Sequence, residues 1–217
     1  MINKISVLVL FSWVIIGAYL IEPPMSGVSN PEIYRIFYFH VPIALVTFFA
    51  YGFTMFQAIM YLRKKELAYD YKSVSAASLG TVFCILATLS GSVFAKYTWG
   101  SFWNWDPRET SIAVLLLIYL AYFSLRSAIS DPVRKANLSA VYSILGFIAA
   151  VFTMFIWPRI TLGLHPGSPG DSASGAFIVM SAKTWLVFGP SILAFLLLYI
   201  WIYSISSKIK ALERRLD

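Results

Sequence analysis

The feature that most constrains this chain is the recurrence of long apolar runs separated by short polar joints. A helix that crosses a bilayer needs about 20 mostly apolar residues, with a range of roughly 17 to 25. Lipid offers no partner to backbone amides, so each crossing segment must satisfy its own. Six stretches have this character: Ile5–Ile21, Phe37–Leu62, Val74–Ala95, Thr110–Ile129, Leu138–Trp157 and Thr184–Ile205. Composition agrees, since only 12% of the residues are charged, against roughly 25% in soluble domains. The expected fold class is an all-α membrane protein, a single domain over residues 1–217 with six transmembrane helices.

Two of these runs need comment. Lys4 ahead of the first run resembles a secretory signal, but no A-x-A-like site follows before Glu22-Pro23-Pro24, so an uncleaved helix is expected. The second run is long for a straight span. Pro42 disfavours helical geometry at Val41 and suits a first helical turn. The reading is therefore a helix from about Pro42 to Leu62, with His40 just before it or in its first turn.

Orientation follows from the basic residues. Lys4, Arg63, Lys64, Lys65, Lys72, Arg126, Arg134, Lys135, Lys208, Lys210, Arg214 and Arg215 fall on one set of helix ends, twelve of the 17 in the chain. Arg35, Lys96, Arg108, Arg159 and Lys183 fall on the other. Both termini are expected to be cytoplasmic, which puts the loops Glu22–Ile36, Lys96–Glu109 and Pro158–Lys183 on the outer face. The net charge of +7 is spread as short clusters between apolar runs, a topology signal that excludes the need for a nucleic-acid partner. No charged residue sits near the middle of a proposed span, which argues against an ion-coupled transporter working alone. The lone Cys84 excludes an intrachain disulfide, a CxxC dithiol site and a CxxCH attachment site.

The most unusual stretch is Trp99-Gly100-Ser101-Phe102-Trp103-Asn104-Trp105-Asp106-Pro107-Arg108-Glu109-Thr110. Asp106-Pro107-Arg108-Glu109 reads as a helix start, with Asp106 the N-cap, Pro107 the first helical residue and Glu109 closing a capping box. Trp99, Trp103 and Trp105 fit two readings. They are either an interfacial aromatic belt or a flat indole floor for a planar ligand, entered through Gly100. The two histidines of the chain, His40 and His165, both fall on the outer face. They are either ordinary interfacial histidines or, supplied by two different loops, axial ligands on opposite faces of a heme. For anionic heme carboxylates Arg108 is the leading partner, helped by the free N–H groups of the fourth helix. Lys96, Arg159 and Lys183 are weaker candidates.

These residues carry a resemblance. Trp99-Gly100-x-x-Trp103-x-Trp105-Asp106 resembles the tryptophan-rich WWD signature of the heme-handling membrane proteins of cytochrome c maturation. Phe39-His40-Val41-Pro42 and Leu164-His165-Pro166-Gly167-Ser168 resemble the segments around the two external heme-ligand histidines of that family. Size and layout are similar to its heme exporter C branch. The sequence departs at Phe102, where many members have Trp, and at Glu109, where many have Leu. The resemblance implies a non-catalytic heme-delivery protein of the inner membrane. His40 and His165 would be axial ligands of heme b on the periplasmic face. Trp99, Gly100, Trp103, Trp105 and Asp106 would form the platform. Implied partners are the periplasmic heme chaperone, maturation protein E, an ABC-type complex with maturation proteins A, B and D, and membrane lipid. A system II cytochrome c synthase-like subunit is the alternative within the family. A two-histidine b-type cytochrome is the alternative outside it, and a heme permease acting alone is a third reading.

Overall fold

A computed structural model of the chain describes residues 4–21, 31–165, 168–169 and 181–216. Within them the secondary structure is helical, with no strand. The order is α1 (Lys4–Leu20), a 3-10 turn (Pro31–Ile36), α2 (Phe37–Lys64), α3 (Leu67–Trp99), α4 (Pro107–Ser127), α5 (Pro132–Val151) and α6 (Ala182–Leu216). α5 runs on through a π-helical turn (Phe152–Ile156) into a last α-turn (Trp157–Ile160). Five segments are long and apolar enough to cross a membrane: Pro31–Lys64, Leu67–Trp99, Pro107–Ser127, Pro132–Ile160 and Ala182–Lys210. α1, with 17 residues, is apolar but shorter.

α2 lies at the centre and packs on α3, α5 and α6, while α1 packs on α6. The α2–α3 contact is close, since a Cβ on Gly80 of α3 would stand 2.9 Å from the Tyr51 ring and 3.0 Å from the Ala50 Cβ of α2. Small side chains let helix backbones approach closely, the usual solution where no water drives helices together. Of the buried hydroxyls here, Thr54 donates to the Ala50 carbonyl at 2.9 Å and Thr81 to that of Ala77 at 3.0 Å, each within its own helix, while Ser73 of α3 donates across to the Thr54 carbonyl of α2 at 3.0 Å. The outer surfaces carry exposed Leu8, Leu89, Leu117, Leu145 and Leu186, as a lipid-facing surface requires. Away from the tryptophan loop, Arg126 near the end of α4 donates two bonds to Asp70 in the first turn of α3, at 2.6 and 2.8 Å.

Helix limits differ from those expected by apolarity, for identifiable reasons. α2 starts at Phe37, not near Pro42. Pro42 has no N–H, so the Tyr38 carbonyl loses its helical partner, but the Ser191 hydroxyl of α6 donates to that oxygen. A distant side chain thus repairs the bond that proline removes, and the helix passes through. α3 begins seven residues early, at Leu67, with Asp70 in its first turn, where an anion meets the positive end of the helix dipole. α5 begins at Pro132 because Asp131 caps it, accepting from the Arg134 N–H at 2.6 Å.

Candidate functional site

The site begins at the end of α3. Gly100 closes that helix in a left-handed conformation, φ +87°, and its N–H donates to the Lys96 carbonyl. The loop then folds back on α3, the Ser92 hydroxyl donating to the Phe102 carbonyl at 2.7 Å. Trp105 also has a positive φ, +56°, an outlier for a bulky side chain. α4 starts immediately after with the expected capping box. The Arg108 N–H donates to Asp106 Oδ1 at 2.9 Å, and Glu109 Oε2 accepts from the N–H groups of Asn104 and Asp106 at 2.6 and 3.3 Å.

Asp106 does more than cap. His165 Nδ1 donates to its Oδ1 at 2.6 Å, and the Leu164 N–H to its Oδ2 at 2.6 Å. Its side chain is fully buried. Burial pushes the carboxyl up, but the His165 hydrogen bond and charge, with the two backbone N–H bonds, outweigh it and hold the group at about 2. A carboxylate at Nδ1 fixes the tautomer and turns Nε2 into the nitrogen available to a metal, the usual arrangement behind a histidine ligand. The Trp99 ring stands edge-on to His165, centroids 4.7 Å apart.

His40 sits in the first turn of α2, one of the two places expected for it, although that turn begins at Phe37 and not near Pro42. Its Nδ1 lies 2.9 Å from Ser90 Oγ of α3. The Ser90 hydroxyl donates its hydrogen to the Leu86 carbonyl at 2.8 Å, so its oxygen accepts from the His40 Nδ1–H. Nε2 is again the nitrogen left for a metal. The ring fits because residue 91 is glycine; a Cβ there would stand 2.9 Å from His40 Cε1.

Both imidazoles line one cavity of about 340 Å³, within the roughly 300–1,000 Å³ of small-molecule sites. Trp103, Arg108 and Glu109 line it too, and Val41, Phe94, Ile112 and Met154 contribute apolar wall. Met154 belongs to the π-helical turn, a device that often marks functional sites. Ser111 secures that turn, its hydroxyl lying 2.5 Å from the Thr153 carbonyl and 2.6 Å from that of Pro107. The arrangement offers two nitrogen ligands, one guanidinium and a largely apolar enclosure.

His40, His165, Trp103 and Arg108 are therefore brought together, with Asp106 and Trp99 behind His165. The flat indole floor is not present. Trp103 and Trp105 stand perpendicular, 5.9 Å apart, and Trp105 is 76% exposed. Its left-handed backbone turns the ring away from the cavity. Lys96 folds back on its own loop, donating to the Gly100 carbonyl, and Arg159 and Lys183 are exposed. Pro166 and Gly167 lie outside the described residues. Ser90, which holds His40, and the cavity-lining Glu109 and Met154 were not singled out for these places by the sequence; the Ser90-Gly91-Ser92 cluster of small residues in an apolar helix was the available signal for the first.

The family model described as heme exporter protein C matches residues 2–217. The chain is similar to heme exporter protein C of Paracoccus denitrificans, 29% identical over 75% of this chain and 71% of that protein. It is 31% identical to heme exporter protein C of Rhodobacter capsulatus over 62% of this chain and 55% of that protein. A cytochrome c biogenesis protein CcsA of Panax ginseng is 36% identical over 52% of this chain and 34% of its own length.

Proposed function

Since the chain belongs to the heme exporter protein C family, we propose that it is a heme-delivery module of cytochrome c maturation, a carrier and not a catalyst. Its cargo is heme b, held at the outer face of the inner membrane and passed to a periplasmic heme chaperone, maturation protein E. In this reading both termini are cytoplasmic, α1 is a sixth span, and maturation proteins A, B and D form the ABC-type complex around it. The observation that carries the proposal is the convergence of two imidazoles, from separate elements, on one cavity, each with Nδ1 engaged by the protein.

The residues fit the cargo. His40 and His165 supply two neutral nitrogen donors of the kind heme iron takes. Arg108 at the start of α4 suits a heme carboxylate through bidentate bonds and the positive end of the helix dipole; the first N–H groups of α4 are themselves taken up by Asp106. Trp103 and the apolar wall exclude water from the macrocycle. Asp106 orients His165, and Ser90 orients His40. Phe102 and Trp105, 57% and 76% exposed on the loop, suit contact with the receiving protein. His165 lies outside any helix, which sets the site apart from a b-type cytochrome gripping heme between two helix interiors.

The test is the absorption spectrum of the detergent-purified chain loaded with hemin. A low-spin bis-histidine signal is expected in the wild type and is expected to be lost in both His40→Ala and His165→Ala, together with loading of the chaperone. Normal loading by both variants would refute the proposal.

A further inference from the structure

Glu109 is the residue in the cavity wall that the heme-delivery reading leaves unexplained. It is 8% exposed, and one of its carboxylate oxygens, Oε1, is buried without a hydrogen-bond partner. Such an atom is costly unless an occupant of the site satisfies or balances it. The carboxylate is not free to turn away, because Oε2 is held by the Asn104 and Asp106 N–H groups. It also stands close to the iron-binding machinery: the Asp106 whose N–H it accepts is the residue that holds His165 Nδ1.

Two charged side chains line the cavity among the described residues, Arg108 and Glu109. A heme carboxylate balances Arg108. Nothing on the periphery of a metallated porphyrin balances Glu109, since the ring carries no N–H donor once the metal is bound. The balancing charge available is at the iron. A porphyrin dianion with iron(III) and two neutral imidazoles has a core charge of +1; with iron(II) the core is neutral. In an apolar enclosure a fixed anion discriminates between these two forms more strongly than it would in water.

We propose that Glu109 is a specificity-determining residue for the oxidation state of the cargo, its carboxylate favouring the iron(III) form over the iron(II) form. The proposal rests on the heme-delivery reading and gives Glu109 a role beyond the capping bonds that its Oε2 makes to the tryptophan loop.

The experiment is an equilibrium redox titration of the full-length purified chain loaded with hemin, wild type beside Glu109→Gln. Gln keeps an oxygen for the capping bonds and removes the charge. The variant is expected to retain the low-spin spectrum and to lose about tenfold in its preference for iron(III), a rise of about 59 mV in the one-electron potential. Glu109→Leu removes charge and polarity together; it is expected to move the potential in the same direction, and it decides the matter if the Gln variant does not fold. An unchanged potential in a variant that keeps the low-spin spectrum overturns the role of Glu109 and leaves heme delivery standing. A wild-type chain with no low-spin signal dependent on His40 and His165 overturns both.

Discussion

The two histidines reach one cavity from opposite kinds of support. His40 is part of a long central helix, with a glycine on the neighbouring helix giving it room and a neutral serine hydroxyl at Nδ1. His165 lies outside any helix, held by a fully buried carboxylate at Nδ1 and by the adjoining Leu164 N–H on the same side chain. A ring on a packed helix needs little help to stay in place. A ring on a loop needs a strong, charge-assisted bond, and that bond can be given up without unravelling a helix. The difference suits the proposed cargo, which must be gripped and later released; on that reading His40 is the standing ligand and His165 the one that lets go.

The comparison is broken or sharpened by perturbing each support in turn. Asp106→Asn should have the largest effect, weakening heme binding by about 10–100-fold, as loss of a carboxylate behind a histidine ligand does elsewhere; a hemin titration measures it, and an effect no larger than that of Ser90→Ala would erase the distinction between the two histidines. Acid should act next. The Asp106 carboxyl is held at about 2 in the folded chain, below the roughly 3.9 of an unfolded one. The stability it contributes is therefore complete above about pH 4 and lost as pH falls towards 2, about 2 kcal/mol in all. Exchange of the Leu164 amide should accelerate across that window. Gly91→Ala should cost about 1–3 kcal/mol by overpacking the His40 ring, read as a lower midpoint in thermal unfolding with the Leu164 amide unaffected. Ser90→Ala should be smallest, about 1 kcal/mol, the net worth of one ordinary hydrogen bond; the same hemin titration reports it.

Much of this molecule was legible in its sequence where the signal is local. The start of α4 is the clearest case: Asp106, Pro107 and Glu109 sit at fixed spacing, and the bonds they make are those the spacing calls for. Apolar run length located the long helices but misplaced their ends, because α3 and α5 begin with polar turns that apolarity does not register. The rest depends on contacts between distant parts of the chain. That α2 runs through Pro42 depends on Ser191 in the last helix. That Trp105 faces outward depends on a positive φ that nothing in its residue type advertises. That Asp106 serves His165 as well as α4 depends on the return of the chain near residue 164; the sequence supplied the cap and was silent on the second use.

The bond from Ser191 to the Tyr38 carbonyl has a consequence for how the protein is made. One residue separates Tyr38 from His40, yet the backbone there is completed by a side chain synthesised some 150 residues later. While the chain is still emerging from the ribosome, that part of α2 has an empty place in its ladder. On the heme-delivery reading the site is finished only when the final helix docks, so an incomplete chain does not present the proposed pair of iron ligands.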